Sequence, residues 1–445
     1  MMPITAEAQV PSGLADMPLA PTTYQDAGLT LDLLIQLSLK MLHFAGELTG
    51  AELAKRLGVN FSVVEPALDA LKTQRQVEIG GGTMMGRASY RYRITDAGRQ
   101  RAVLFLESNH YVGVAPVPFD QYKRYMHGFM KTAPRSATRD RVREAFSHLV
   151  IGQAVLDQLG PAINAGHSMF VYGPPGNGKT VISQAIRKLL HGEIAIPHAI
   201  EVEGSIIRFF DPVNHEPIEG GTSESVSLDL GERFDHRWVR CRRPMVMVGG
   251  ELTLEALELS YSSGTGFYRA PVQAVANGGV LVIDDFGRQQ VAPRDLLNRW
   301  IVPLESRVDF LTLQSGQKFE LPFMVLVVFA TNIKPADLVD EAFLRRIHYK
   351  VFAESPTVGE FMQIFENCCR ERELEFERNL VQDLLKSYYE PRGIPLRGCQ
   401  PRDLIDQALS LAEYLAAPRQ LSRELLEAAC ASYFVDERES PVLYS

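Results

Sequence analysis

The strongest constraint on the fold is a glycine-rich segment that joins an apolar run to a helical pattern. Met169–Tyr172 is predicted to be a buried strand, and residues 181–190 have helical periodicity. The segment between them reads Gly173, Pro174, Pro175, Gly176, Asn177, Gly178, Lys179, Thr180, and Val181 follows it directly. It matches the pattern G-x-x-x-x-G-K-[ST] in the strand–loop–helix context that this motif requires. We therefore expect backbone amides of this loop, together with Lys179, to bind the phosphates of ATP, and Thr180 to ligate Mg²⁺.

A second apolar run ends in two carboxylates. The residues Val280–Ile283 are predicted to form a buried strand, and Asp284 and Asp285 follow at once. Ligands of open α/β sheets collect at the carboxyl edge of the strands, so these side chains are expected near the phosphate loop. Asp284 is assigned to the magnesium ion. Asp285 is the candidate for polarising the water that attacks the terminal phosphate.

The rest of the chain divides into regions of different pattern. Residues 1–28 are expected to be a flexible tail, and residues 29–110 give helices followed by two strands and a closing helix, an order that resembles a winged helix-turn-helix domain. Residues 111–138 are expected to be a linker that folds onto a neighbour. Strands and helices alternate over 139–354, with an insertion at about 201–250, and 355–445 are helical. The predicted fold class is α/β, with a parallel sheet between helices and a small α-helical domain after it.

Composition limits the classes of partner and compartment. The formal net charge is −8, so the whole chain has no basic surplus for nucleic-acid phosphates. The five cysteines are scattered and have no C-x-x-C spacing, which favours reduced thiols in the cytoplasm over a disulfide framework or a zinc site. The longest apolar run, residues 321–330, is too short for a membrane helix, so no membrane insertion is expected.

Further elements occur in the order seen in AAA+ ATPases, and over residues 150–434 the chain resembles that superfamily. The resemblance implies an adenine contact at Ile151 and a polar sensor at Asn332, which helps to position the hydrolytic water. It also implies an arginine finger at Arg345 or Arg346, with Arg346 preferred, and a sensor arginine at Arg402 in the helical lid. Because a finger acts in the neighbouring subunit's site, the resemblance implies a ring, with a hexamer the expected assembly.

Within the superfamily, the chain is most similar to MoxR-like ATPases. The features that carry this similarity are the glycines before the acidic strand, the sequence of residues 285–288, and a candidate hairpin over residues 307–323 that turns at Ser315 and Gly316. The chain departs from the family at Asp285, where glutamate is usual. Since aspartate is one methylene shorter, slow hydrolysis or a nucleotide-dependent switch remains an alternative to a motor.

The partner is less constrained. The loop 263–269 contains Phe267 and Tyr268 between glycines and a cation, so it either grips a polypeptide or nucleic-acid strand in a pore or packs in the core. The presumed recognition helix of the winged-helix-like region carries Glu65 and Asp69, with Lys72 near its end. The three arginines near the wing, Arg87, Arg91 and Arg93, are weak evidence for phosphate contacts. Remodelling of a protein client or adaptor is therefore preferred, and a DNA-linked ATPase or transcription regulator is the alternative.

Overall fold

A computed structural model describes residues 17–80, 86–133, 137–218 and 233–434. The chain divides into two compact units, and each is assembled from separate stretches of sequence. The first draws on Met1–Arg135, Leu190–Val282 and Asp295–Leu326, and the second on Ser136–Leu189, Ile283–Arg294 and Val327–Ser445. These units differ from the predicted boundaries, because parts of the predicted nucleotide-binding region 139–354 belong to the same unit as the N-terminal region.

The first unit begins with four helices and three short strands. The helices are Leu31–Ala45, Gly50–Leu57, Phe61–Thr73 and Asp96–Ser108, with a 3-10 turn at Arg87–Ser89. The strand Arg91–Ile94 pairs antiparallel with Val77–Ile79, as the sequence indicates, and also with Glu47–Thr49, which was not predicted. A capping box between Thr49 and Glu52 begins the second helix, and Gly58, in the left-handed region, ends it.

The predicted linker 111–138 contains regular structure. Its helix, Phe119–Thr132, buries Tyr122, Met126 and Phe129 at helical spacing. The short strand Val117–Pro118 just before it pairs in parallel with Ala199–Val202. This segment is therefore part of the core of the first unit and not a plain connection.

The aromatic side chains of the loop 263–269, for which gripping a partner and packing in the core were the two alternatives, are packed in the core. It joins the strands Ser260–Ser262 and Phe267–Arg269, which extend a five-stranded sheet through Ser205–Arg208, Ala199–Val202 and Val117–Pro118. Tyr268 is 6% exposed, and its hydroxyl accepts a hydrogen bond from the backbone of Gln314 at 2.9 Å. Phe267 meets the ring of Tyr111 edge-on. The gripping interpretation is therefore wrong for these two aromatic side chains.

The remaining elements of the first unit include the predicted hairpin. Val308–Thr312 pairs antiparallel with Lys318–Pro322, and Gly316 lies at the turn with a positive φ of 84°. A second antiparallel pair joins Glu193–Pro197 to Trp238–Arg242. Other elements here are the strand Met245–Val248, the helices Val272–Val275 and Pro293–Ser306, and the 3-10 turn Glu255–Leu257. Within the predicted insertion 201–250, the described residues include the strands Ser205–Arg208, Trp238–Arg242 and Met245–Val248.

The second unit contains parallel strands and many helices, so the chain is a mixed α/β protein. Met169–Tyr172 pairs in parallel with Leu326–Thr331 on one side and with Tyr349–Phe352 on the other. The strand Val280–Ile283, all four residues buried, carries the chain into this unit. The helices are Arg139–Ala145, Gln153–Ala165, Lys179–Ala185, Pro335–Leu338, Glu341–Leu344, Val358–Glu371, Arg378–Leu384, Glu390–Arg392, Gln400–Tyr414 and Arg423–Tyr433, with a 3-10 turn at Ile186–Leu189 and a π-helical turn at Leu385–Tyr389.

The helices after residue 357 share a core of their own. Phe361, Phe365, Leu404 and Leu426 are fully buried in it. A capping box between Thr357 and Glu360 begins the first of these helices. Across the described residues, none of the helices combines the length and the apolar character needed to cross a membrane.

Candidate nucleotide-binding site

The glycine-rich loop has the backbone that its glycines were predicted to permit. Gly173, Gly176 and Gly178 all have positive φ angles, of 151°, 80° and 72°. A side chain at Gly173 would collide with the protein, because a Cβ there would lie 2.4 Å from the carbonyl oxygen of Ala353. Glycine is therefore required at this position by the close packing and also by the backbone conformation.

Lys179 is buried at the start of the helix Lys179–Ala185, two residues before the predicted start at Val181. Its ammonium group donates hydrogen bonds to the carbonyls of Gly173 at 3.1 Å and Pro174 at 2.9 Å. Burial lowers the pKa of Lys179, and the carboxylates of Asp285 and Asp284 act in the opposite direction. The lysine thus lies inside the loop, where a phosphate would offer it a stronger, charged partner.

The two residues assigned to the magnesium ion are in contact. The hydroxyl of Thr180 donates to a carboxylate oxygen of Asp284 at 2.8 Å. Hydroxyl and carboxylate oxygens are the hard ligands that Mg²⁺ takes in nucleotide sites, usually with water and substrate phosphate completing the shell. The donor set therefore fits the ion that the motif implies.

Asp285 is positioned by an unusual backbone and by a side chain from the adjacent strand end. Its φ is 49°, in the left-handed region that few residues other than glycine adopt. The amide group of Asn332 donates to the Asp285 carboxylate at 3.1 Å. Strained conformations of this kind cluster at functional sites. Asp284, Asp285 and Asn332 therefore lie together, as the sequence predicts for parallel strands that end at one edge.

The turn after Asp285 is held by contacts that sequence reasoning did not identify. Gln289 donates to the Asp284 carbonyl at 2.9 Å and accepts from the Gly287 amide at 2.8 Å. The Thr331 hydroxyl donates to the Phe286 carbonyl at 2.7 Å. No motif marks Gln289, so only the folded turn reveals it. These bonds fix the position of both carboxylates.

A small cavity lies beside the loop where the resemblance places the adenine base. Its volume is about 140 Å³, and Ile151 is one of the residues lining it. Asn177 also lines it, and the side-chain oxygen of Asn177 is buried with no hydrogen-bond partner within the described part of the chain. A buried polar atom of this kind calls for a ligand or water. The cavity therefore suits a polar, partly apolar group such as a nucleobase.

The predicted arginines lie in different surroundings. Arg345 is exposed and forms an ion pair with Glu341 at 2.9 Å. Arg346 is half-buried, and its carbonyl accepts a hydrogen bond from the Ser168 hydroxyl at 3.4 Å. Arg402 pairs with Asp403 at 2.9 Å.

Arg397, which the sequence did not single out, is the arginine that the fold brings near the phosphate loop. The backbone amide of Cys399, two residues later, donates to the Gly176 carbonyl at 2.8 Å. The charge of Arg397 adds to the effect of burial in lowering the pKa of Lys179. Arg402 was assigned this role through the resemblance to AAA+ ATPases, and Arg397 lies outside the motif that carried it.

A comparison with curated proteins finds a similarity over a short stretch of the chain. Over 54 residues the chain is 44% identical to a vesicle-fusing ATPase from Dictyostelium discoideum; the match covers 12% of this chain and 7% of that protein. The chain thus spans only a small part of this curated relative. A family described as a domain of unknown function, DUF8689, matches residues 357–432, within the C-terminal helices.

Solved structures overlap with larger parts of the chain at low identity. RuvB from Thermotoga maritima, a Holliday junction branch migration motor, is 17% identical, with 64% of this chain and 71% of that chain covered and a TM-score of 0.36. NtrX from Brucella abortus in complex with ADP is 13% identical, with 78% and 68% covered and a TM-score of 0.39. Because these TM-scores are below 0.5, function is inferred from the site's own geometry.

Proposed function

We propose that this chain is an ATPase of the AAA+ kind that binds ATP with Mg²⁺ and hydrolyses it. The observation that carries the proposal is one cluster in the second unit. There Thr180 contacts Asp284 at 2.8 Å, and Asn332 contacts Asp285 at 3.1 Å, beside the buried Lys179. The 54-residue match to an ATPase supports it.

Each residue has a defined task in this proposal. Lys179 exchanges its two carbonyl partners for the β- and γ-phosphate oxygens, and the loop amides bind the phosphates. Thr180 and Asp284 hold Mg²⁺, which neutralises charge on the phosphates when bound. Asp285 accepts the proton of the attacking water, and Asn332 fixes the orientation of that carboxylate. The cavity at Ile151 takes the adenine.

We further propose that the active form is a ring, with a hexamer expected, in which Arg346 or Arg345 enters the neighbouring site. An arginine supplied in this way stabilises the charge of the transition state by about 10³–10⁵ in rate in other P-loop enzymes. The paired hairpin Val308–Thr312 and Lys318–Pro322 supports the MoxR-like subgroup. The helices after residue 357 would be the lid, and Arg397 is a better candidate than Arg402 for the lid arginine.

The proposed work of the ring is the remodelling of a protein client or adaptor in the cytoplasm. The winged-helix-like interpretation of residues 29–110 is supported by its helices and antiparallel sheet. The three arginines near the proposed wing form ion pairs within the region, Arg87 with Glu65 and Asp69, and Arg91 and Arg93 with Glu47. This pairing favours protein docking over duplex DNA, which remains the alternative.

Steady-state release of phosphate from purified protein tests the proposal. We expect wild type to hydrolyse ATP only with Mg²⁺, Lys179→Ala to lose nucleotide binding, and Asp285→Asn to bind ATP without turnover. If wild type and Asp285→Asn bound ATP equally and neither released phosphate, the switch would replace the motor. If wild type bound no nucleotide in calorimetry, the proposal would be wrong.

A further inference from the structure

One hydroxyl, that of Ser355, accepts hydrogen bonds from two directions beside the proposed nucleotide site. The amide of Asn177, in the glycine-rich loop, donates to it at 3.3 Å. The guanidinium of Arg397 donates to it at 2.6 Å. Ser355 itself lies between the strand Tyr349–Phe352 and the helix Val358–Glu371. Three separate segments therefore meet at a single oxygen.

The Asn177 side chain fixes the position of Ser355. Besides contacting Ser355, the same Asn177 nitrogen donates to the carbonyl of Ala353 at 3.3 Å, two residues earlier in the chain. The glycine-rich loop also reaches the Arg397 segment through the bond from Cys399 to Gly176. Ser355 and Arg397 are thus both held against the loop that is proposed to receive the phosphates.

Arg397 can form a stronger contact than the one it makes with Ser355. A neutral hydroxyl accepts one hydrogen bond from the guanidinium, whereas a phosphate accepts two and carries charge. The guanidinium is charged in both contacts, but only the phosphate adds an opposite charge and a bidentate geometry. A terminal phosphate within reach of Arg397 would therefore compete with Ser355 for the same guanidinium.

We propose that Ser355 is a positioning residue that retains Arg397 when no triphosphate is bound, and that the γ-phosphate must displace it. The inference rests on the proposed function. ADP has no γ-phosphate, so Arg397 stays on Ser355 in the ADP form. When ATP binds, its γ-phosphate replaces Ser355 as the partner of Arg397. The loss of the Arg397–Ser355 hydrogen bond then reduces the difference in affinity between ATP and ADP. Ser355 thereby sets how strongly the site distinguishes ATP from ADP.

The test compares dissociation constants for ADP and for a non-hydrolysable imido analogue of ATP, both with Mg²⁺, in the full chain. Ser355→Ala should bind the analogue about 3- to 10-fold more tightly, because the competing acceptor is gone. Its affinity for ADP should change less, since ADP does not recruit Arg397. Because Ser355 also lines the cavity proposed for the base, which both nucleotides share, the ratio of the two dissociation constants is the readout. Ser355→Thr keeps a hydroxyl at this position and should behave like wild type.

A double-mutant cycle separates this role from a merely structural one. Arg397→Ala should weaken binding of the analogue, and adding Ser355→Ala to it should have no further effect. If Ser355→Ala changed both nucleotides equally, or acted equally in the Arg397→Ala background, the inference would be overturned while the ATPase proposal stood. If wild type bound neither nucleotide, the proposed function would fail, and this inference with it.

Discussion

Asn332 donates a hydrogen bond from its side-chain amide to the carboxylate of Asp285 at 3.1 Å. The two residues come from the ends of different strands and are separated by 47 positions in the chain. The contact leaves Asp285 in one orientation despite its short side chain. This relationship gives the first prediction its chemical basis.

Removing the Asn332 amide should lower the rate of ATP turnover and leave nucleotide affinity unchanged. We expect Asn332→Ala to lower kcat by about 10- to 100-fold, because a misoriented general base loses most of its contribution. Asn332→Asp should be at least as damaging, since a second carboxylate repels that of Asp285 and cannot donate a hydrogen bond to it. Phosphate release gives kcat, and calorimetry gives the nucleotide affinity. A parallel loss of affinity in both variants would contradict a role in positioning.

Adding one methyl group to the glycine-rich loop should abolish nucleotide binding. Gly173→Ala places a Cβ 2.4 Å from the Ala353 carbonyl oxygen, so the loop must shift. Gly166→Ala is the matched control. It also has a positive φ, but a Cβ there meets nothing within 4 Å, so it should cost about 1–2 kcal/mol of strain and bind nucleotide normally. Thermal melting and calorimetry measure both effects. Normal binding by Gly173→Ala would show that the loop can rearrange.

Asp309 should be important for the stability of the first unit. Its side chain is fully buried and accepts hydrogen bonds from Arg299 at 2.6 Å and Gln273 at 2.8 Å. Asp309→Leu should lower the free energy of unfolding by about 3 kcal/mol, because both donors lose a buried charged acceptor. Arg423→Ala, which breaks the exposed pair with Glu427, should cost less than about 1 kcal/mol. Equal losses in denaturant unfolding would contradict the buried-network explanation.

Lys40 should make the free energy of unfolding depend on pH in the alkaline range. It is 2% exposed, donates to the carbonyls of Asn109 and Tyr111, and burial lowers its pKa to about 8. Between about pH 8 and the unfolded value of 10.5, the folded state binds fewer protons than the unfolded chain, so this group makes stability rise with pH.

The Lys40→Met variant lacks that contribution. The stability of wild type minus that of Lys40→Met should therefore increase by on the order of 1 kcal/mol per pH unit across this window. Denaturant unfolding at several pH values between 7.5 and 10 measures the difference. A constant difference across the window would contradict the lowered pKa.

Duplex DNA should bind weakly, and the arginines near the proposed wing should not contribute to its binding. Because Arg87, Arg91 and Arg93 are already paired with carboxylates, replacing all three by alanine should leave any DNA affinity within about twofold. Fluorescence anisotropy at 50 and 200 mM salt would measure it. A fall of about 40-fold over this range, as three phosphate contacts would give, that is lost in the triple variant would favour the DNA-linked alternative.

The sequence predicted those parts of the fold that depend on local patterns. Two predicted strands, Met169–Tyr172 and Val280–Ile283, are present with those bounds, because buried parallel strands consist of continuous apolar runs. The Glu47–Thr49 strand was missed, since Leu48 is its one apolar residue, whereas Val77–Ile79 has two apolar residues in alternation. The helix Phe119–Thr132 was missed because Pro116 and Pro118 were taken as signs of a linker, although Pro118 is the residue that precedes the helix.

The site was predicted less evenly. The glycine-rich motif pointed to Lys179 and Thr180, and the acidic end of the strand Val280–Ile283 pointed to Asp284. The contacts of Arg397 and Gln289 were not predicted, because the Arg397–Ser355 hydrogen bond joins residues 42 positions apart and the Gln289 bonds depend on the shape of one turn. Residue type distinguished neither Arg397 from Arg402 nor a packed Tyr268 from an exposed one. Long-range packing decides both.

The N-terminal region and the stretch 190–282 share one hydrophobic core. Ala199 and Ile206 are buried in the same cluster as Leu34, Leu68 and the other apolar side chains of that region. A truncated protein that started at residue 139 would therefore expose apolar surface on the remaining strands. We expect such a fragment to aggregate, so the N-terminal helices cannot simply be deleted to obtain a minimal catalytic protein.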